Sequence, residues 1–114
     1  MLFVVGKYLL GELHPQCARI ASAFSGGVGR TNQEMCGGLS GGLLIIGSLY
    51  GRTDLNADDK QVEAIGKEFR ERFLREFGAT RCADVKKWLM DHGKPEKCDL
   101  VVERGAIILL ELLA

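Results

Sequence analysis

The stretch FSGGVGRTNQEMCGGLSGGLLIIGSLYG, residues 24–51, decides how the rest of the chain is organised. It begins with a glycine turn, SGGVG, and glycine is used where φ must become positive or where the backbone must pass close to another group. Thr31 and Glu34 then have the spacing of a capping box, in which each side chain bonds an amide of the first helical turn. The sequence therefore predicts a helix over 32–50, with Gly51 as its C′ residue.

Four glycines lie inside this predicted helix, as the i,i+4 pairs Gly37/Gly41 and Gly38/Gly42. Each glycine costs a helix about 1 kcal/mol relative to alanine, so their presence requires a packing reason. One interpretation is that a neighbouring helix crosses this flat strip. The other is that the strip leaves room for a group bound at Cys36, which makes Gly37, Gly38 and Gly41 candidate cofactor-binding residues.

Glycine and cysteine residues recur along the chain in the order Ala21-x-x-Phe24-x-Gly26-Gly27-x-Gly29-Arg30, Cys36-Gly37-Gly38-x-x-Gly41-Gly42, Gly47, Tyr50-Gly51, Cys82 and Cys98. This order resembles the pattern of C_GCAxxG_C_C, a family of redox-active proteins related to the split-Soret cytochromes c. The resemblance covers most of the chain, from about Leu9 onward. It implies a redox-active or electron-transfer protein.

The resemblance implies catalytic roles for Cys36, Cys82 and Cys98. The chain departs from the family pattern in two places. Residues 36–38 read Cys-Gly-Gly where the family has Cys-Gly-Ala. The family's first cysteine lies well upstream of the glycine turn, and this chain begins after that point, so we expect that an upstream segment is missing. Cys17 occupies an ordinary helix position of the family.

The composition indicates one domain over residues 1–114 that binds neither nucleic acid nor membrane. The chain has 15 basic and 15 acidic residues, whereas nucleic-acid binding depends on an excess of lysine and arginine. No apolar run reaches the roughly 18 to 20 residues that cross a bilayer, and no basic segment precedes the apolar N-terminus. We therefore expect a cytoplasmic protein, in which four cysteines favour metal or redox chemistry over a secreted disulfide scaffold.

Hydrophobic periodicity predicts an all-α fold, a compact bundle of about six helices with the glycine-rich helix in the middle. The predicted helices are 1–13, one opened by Pro15, 32–50, one capped by Asn56 and ended by Gly78, one capped by Thr80, and one opened by Pro95. The fourth helix has the apolar stripe Val62, Ile65, Phe69, Phe73 and Phe77. The last helix is apolar on nearly all sides over 107–114, which predicts a homodimer contact.

All four cysteines fall near predicted helix N-termini. Cys17 follows Pro15, Cys36 follows the Thr31 cap, Cys82 follows Thr80 and Cys98 follows Pro95. Unpaired amides at a helix N-terminus favour the thiolate, which is the reactive and metal-binding form of cysteine. The alternative is that each cysteine is a small buried hydrophobic residue, an interpretation that has most force for Cys17.

Several cofactors are consistent with spread-out cysteines. An iron–sulfur cluster takes four thiolates, and zinc takes four sulfur or nitrogen ligands. Metal ligation by Cys36, Cys82 and Cys98 therefore needs Cys17, a histidine (His14 or His92) or an upstream cysteine as the fourth ligand. No CxxC or CxxCH motif is present, so a thioredoxin motif, a zinc finger and c-type haem are not expected. The glycine turn lacks the lysine of a P-loop.

Two hypotheses about function follow. The first is a redox or electron-transfer protein whose centre, a disulfide or a metal site, is built from Cys36, Cys82 and Cys98, with an unknown redox partner. The second is a non-catalytic helical dimerisation or interaction module that keeps the fold but has a degenerate cysteine site. Metal analysis and thiol titration after anaerobic purification distinguish them, because the second expects four inert thiols.

Overall fold

The computed structural model describes residues 1–114. Its six α-helices are α1 Lys7–Leu10, α2 Pro15–Ala21, α3 Gly37–Tyr50, α4 Lys60–Phe77, α5 Cys82–Asp91 and α6 Cys98–Leu113. A π-helical turn, Leu2–Gly6, precedes α1, and a 3-10 turn, Ser22–Phe24, follows α2. There is no sheet, only one isolated antiparallel bridge between Met35 and Arg81. The prediction of an all-α fold with about six helices is confirmed.

The glycine-rich helix α3 lies in the middle of the bundle, where it packs against α4, α6 and the N-terminal turn. Two of its glycines allow this close packing. A Cβ added at Gly42 would lie 2.4 Å from the ring of Phe69, and one added at Gly38 would lie 3.3 Å from Val101. The pair Gly38/Gly42 is therefore explained by neighbouring helices that cross the strip.

The core is built around the apolar stripe of α4. Phe69, Phe73 and Phe77 are fully buried, and the ring centroids of Phe73 and Phe77 are 4.7 Å apart. Gly78 ends the helix in the left-handed conformation, with its amide bonded to the carbonyl of Leu74 at 2.7 Å. The predicted apolar stripe and the predicted end of α4 at Gly78 are both confirmed. A long helix with a regular apolar period can be predicted directly from sequence.

The predicted start of the glycine-rich helix at residue 32 is wrong, because α3 begins at Gly37 with Cys36 as its N-cap. Thr31 does not form a capping box. Its hydroxyl lies 2.9 Å from the carbonyl oxygens of Gly27 and Val28, so it closes the glycine turn instead. Residues 32–36 are not helical, and this segment pairs with the chain around Arg81.

The other helix boundaries also differ from prediction. The first helix is interrupted at Gly11, which has φ 78°. The predicted caps Asn56 and Thr80 do not start their helices, which begin at Lys60 and Cys82. The last helix begins at Cys98, three residues after the predicted Pro95. The carboxylate of Asp58, not Asn56, accepts the amide of Lys60 at 2.8 Å. Pro15 does open α2 as predicted.

The glycine turn is an unusual backbone segment. Residues 26–30 all have positive φ, between 58° and 68°, and two of them, Val28 and Arg30, are not glycine. A left-handed residue other than glycine costs about 1–2 kcal/mol. The turn is held by hydrogen bonds from the amide of Arg30 to the carbonyl of Ser25 and from the amide of Asn32 to that of Gly26. It places Asn32 against α5.

No helix combines the length and the hydropathy that crossing a bilayer requires. The C-terminal helix α6 buries Val101, Ile108 and Leu109 in the core of the chain. On its outer side, the exposed fractions of Ile107 and Leu110 are 52% and 37%.

Candidate thiol site

The N-terminus of α5 is bonded to the segment that precedes α3. The amide of Cys36 donates to the carbonyl of Thr80 at 2.8 Å, and the amide of Cys82 donates to the carbonyl of Glu34 at the same distance. These two bonds flank the bridge between Met35 and Arg81. Because side chains alternate along extended backbone, Cys36 and Cys82 lie on the same face of this bridge.

Three cysteines begin three different helices. Cys36 is the N-cap of α3, Cys82 is the first residue of α5 and Cys98 is the first residue of α6. The prediction that these cysteines lie near helix N-termini therefore agrees with the structure. Their exposure is graded, because Cys82 is buried, Cys36 is half-buried and Cys98 is exposed.

Contacts at Gly38 connect Cys36 to α6. A Cβ added at Gly38 would lie 3.8 Å from the sulfur of Cys36 and 3.3 Å from a methyl group of Val101. Cys98 precedes Val101 by three residues, so the two lie on the same face of α6. Cys36 therefore lies beside the start of α5, and its sulfur borders the same glycine as Val101 in the first turn of α6.

Burial raises the pKa of the Cys36 thiol above its ordinary value of 9.0, and the neighbouring thiols of Cys82 and Cys98 raise it further by charge repulsion. The amides of Gly38 and Leu39 favour the thiolate and offset part of this rise. Because its pKa is raised, Cys36 is protonated at neutral pH. No side-chain hydrogen bond caps α3.

The thiol of Cys82 bonds Asn32, whose side-chain oxygen also accepts a hydrogen bond from Lys86. The sulfur of Cys82 donates to Oδ1 of Asn32 at 3.5 Å, and the ammonium group of Lys86 donates to the same oxygen at 2.9 Å. The carbonyl of Asn32 also accepts the amide of Ala83 at 2.9 Å. One asparagine therefore connects the buried thiol, the start of α5 and a cation.

Cys98 opens into a cleft between α5 and the turn that precedes α6. The cleft has a volume of about 410 Å³ and is lined by Lys86, Met90, Glu96 and Cys98. Lys86 lies one helical turn after Cys82, and Met90 lies one turn further. Lys86 therefore lines the cleft beside Cys98 and also bonds Asn32, the residue that accepts the thiol of Cys82.

Cys17 is not brought to this group. It lines a separate groove of about 420 Å³ between α2 and α3, together with Ile20, Phe24 and Leu44. The predicted role of Cys17 as a metal ligand stays a prediction. The histidines are occupied in other ways, since His14 caps α2 by accepting the amide of Gln16, and the ring of His92 stacks on Trp88.

The three glycines predicted to bind a cofactor differ in their surroundings. Gly38 is covered by Val101 and Phe73, Gly41 lies against Met1, and a Cβ added at Gly37 would meet no atom within 4 Å. Only the backbone of Gly37, directly after Cys36, faces open space. A cofactor role for these glycines stays a prediction.

The side chains of one chain do not fit a metal site. No three histidine, cysteine, aspartate or glutamate side chains converge closely enough to hold a metal ion. All four cysteines are free thiols, and no disulfide joins them. An iron–sulfur cluster requires four thiolates, which Cys36, Cys82 and Cys98 alone do not supply.

Asn32 and Lys86 were not among the residues that the sequence predicted for the site. Lys86 could have been found from its i,i+4 spacing to Cys82, which places both on one face of α5. Asn32 carried a weaker signal, because asparagine tolerates positive φ next to a glycine turn and has φ 61° here. Its contact with Cys82 depends on a left-handed turn that the predicted capping box excluded.

The comparisons with known proteins identify one family. A family model described as "Putative redox-active protein (C_GCAxxG_C_C)" matches residues 1–112. No curated protein and no solved structure matches the chain significantly.

Proposed function

Since the chain belongs to the C_GCAxxG_C_C family, we propose that it is a redox protein whose centre consists of the thiols of Cys36, Cys82 and Cys98. The observation that carries this proposal is the position of Cys36. Its backbone is bonded to the start of α5, its sulfur and Val101 of α6 both border Gly38, and the charges of Cys82 and Cys98 act on its thiol. We propose thiol–disulfide exchange because the side chains of one chain do not fit a metal site.

The exposed thiol reacts first. The thiolate of Cys98 attacks one sulfur of a substrate disulfide, its S–S bond breaks, and a mixed disulfide forms while one substrate thiolate leaves. Cys36 then loses its proton to water and attacks the sulfur of Cys98. The mixed disulfide breaks, the second substrate thiolate leaves, and a Cys36–Cys98 disulfide remains. Two electrons have passed from two protein thiols to the substrate.

Cys82 can receive this disulfide. Its thiolate attacks the sulfur of Cys36, which frees the thiolate of Cys98 and leaves a Cys36–Cys82 disulfide. Because Cys82 is 5% exposed, this disulfide is shielded from external thiols, while Cys98 returns to its reduced form at the surface. The graded exposure of the three thiols is what such a relay requires.

The test is a redox titration of the reduced protein in glutathione buffers, with free thiols counted by mass after alkylation. Wild type and the matched control Cys17→Ser should each lose two free thiols in one two-electron transition. Cys36→Ser should lose no free thiols to an intramolecular disulfide. Equal behaviour of Cys36→Ser and wild type contradicts the proposal, as does a transition that disappears in Cys17→Ser.

A metal or iron–sulfur centre at the same cysteines is the alternative form of the redox proposal. It needs a fourth ligand from outside the group, and metal analysis after anaerobic purification tests it. Stoichiometric iron or zinc that is lost in both Cys36→Ser and Cys82→Ser would favour this alternative over thiol exchange. We propose the cytoplasm as the location, where reduced thiols are maintained.

A second candidate function, a helical homodimerisation module, is supported by one observation. Ile107 and Leu110 leave an apolar strip of α6 exposed, while Ile108 and Leu109 on the other side fill the core. A second copy of this chain could cover that strip. Sedimentation equilibrium of wild type and Leu110→Glu tests it: a dimer that the variant converts to a monomer supports the module, and a wild-type monomer at micromolar concentration contradicts it.

A further inference from the structure

The cleft at Cys98 contains two opposite charges. Lys86 and Glu96 both line it, together with the thioether of Met90 and the exposed thiol of Cys98. Neither charge takes part in any of the ion pairs of the chain. Both are therefore available to a molecule that enters the cleft.

Lys86 is held in place by Asn32. Its ammonium group donates one hydrogen bond, of 2.9 Å, to the side-chain oxygen of Asn32. An ammonium group has three donors, so two remain for another acceptor. Asn32 is itself fixed, because its amide bonds the carbonyl of Gly26 and its carbonyl accepts the amide of Ala83.

We propose that this cleft binds a small zwitterionic disulfide derived from an amino acid, with its carboxylate at Lys86 and its ammonium group at Glu96. The proposal rests on the proposed function, because it names the substrate class of the same thiol centre. A volume of about 410 Å³ suits a small molecule. Opposite charges on the two walls select a molecule that carries both charges over one that carries only one.

The reaction in the cleft is the first exchange step. The thiolate of Cys98 attacks one sulfur of the bound disulfide, the S–S bond of the substrate breaks, and a mixed disulfide with Cys98 forms. The released half leaves as a thiolate, which takes a proton from water. No further oxidant or reductant is needed.

The test compares three disulfides that differ in charge. Cystine carries both groups, cystamine lacks the carboxylates, and 3,3′-dithiodipropionate lacks the ammonium groups. The rate of mixed disulfide formation at Cys98 is measured by mass in Cys36→Ser, where the second exchange step is blocked. This measurement works whether or not the wild type forms an intramolecular disulfide, so failure of the proposed function and failure of this inference are distinguishable.

We expect Lys86→Met to lower the ratio of the cystine rate to the cystamine rate by up to about fivefold, the upper limit for one exposed ion pair. Glu96→Gln should lower the ratio of cystine to dithiodipropionate by a similar factor. Lys87→Met, which removes a neighbouring exposed lysine outside the cleft, is the matched control and should leave both ratios unchanged. Equal ratios in Lys86→Met and Lys87→Met overturn the inference, as does an unchanged ratio in Glu96→Gln.

Discussion

Gly27 lies directly against Cys82: a Cβ added at Gly27 would be 2.5 Å from the Cβ of Cys82. Gly27 also has φ 68°, a conformation that suits glycine far better than other residues. The left-handed turn therefore supports the thiol site sterically. This contact explains the glycine at position 27, which is far from Cys82 in sequence.

Gly27→Ala should destabilise the fold by about 3 kcal/mol, from left-handed strain together with overpacking against Cys82. Gly29→Ala is the matched control. Gly29 also has positive φ, 58°, but a Cβ there would meet no atom within 4 Å, so this variant should lose only about 1 kcal/mol. Urea unfolding measures both losses, and equal losses would show that the contact with Cys82 contributes nothing.

Gly42→Ala should destabilise the core by about 1–2 kcal/mol, because the new Cβ would lie 2.4 Å from the ring of Phe69. In the same helix, Gly47 has no atom within 4 Å of an added Cβ. Gly47→Ala should therefore stabilise the protein by up to about 1 kcal/mol through helix propensity. Thermal unfolding of the two variants gives the signs, and a stabilising Gly42→Ala would contradict the packing of α3 on α4.

The raised pKa of Cys36 predicts a loss of stability in alkaline solution. Burial, followed by the charges of Cys82 and Cys98, raises this pKa in the folded state above the ordinary value of 9.0. Above that value the unfolded chain has released the proton while the folded chain still holds it, so the free energy of unfolding falls as pH rises through the folded pKa. The stability that the protonated Cys36 contributes to the folded state is fully present at pH values below the pKa of the unfolded chain.

Urea unfolding between neutral pH and pH values above the ordinary pKa tests this dependence. Cys36→Ser lacks the thiol and should show a smaller fall in the free energy of unfolding than wild type over the alkaline range. Cys17→Ser serves as the control and should follow wild type. A Cys36→Ser variant whose stability falls as steeply as that of wild type would contradict the assignment of the raised pKa to Cys36.

The long regular elements could be predicted from the sequence. The stripe of Phe69, Phe73 and Phe77 has a helical period and forms the core, and Gly78 ends the helix as expected. The positions of cysteines at helix starts were also predictable, although Thr31 and Thr80, the caps predicted for α3 and α5, were wrong. Cys36 itself, not Thr31, occupies the N-cap of α3.

The rest depended on tertiary contacts. Thr31 and Glu34 have the spacing of a capping box, but the amide of Glu34 bonds the carbonyl of Gly27, and the carbonyl of Glu34 accepts the amide of Cys82. The bond to the glycine turn and the long-range bond to Cys82 outweigh the local preference for a helix. The cleft beside Cys98 and the contact of Asn32 with Cys82 likewise join segments distant in sequence, which periodicity cannot reveal.

We propose above all that Cys36, Cys82 and Cys98 form one redox-active thiol group from which Cys17 is excluded. The most direct measurement is disulfide mapping of mildly oxidised wild-type protein by mass spectrometry of its peptides after blocking the remaining thiols. We predict intramolecular Cys36–Cys98 and Cys36–Cys82 disulfides, reversible with reductant, and a free Cys17. Four free thiols after oxidation, or a disulfide that includes Cys17, would contradict it.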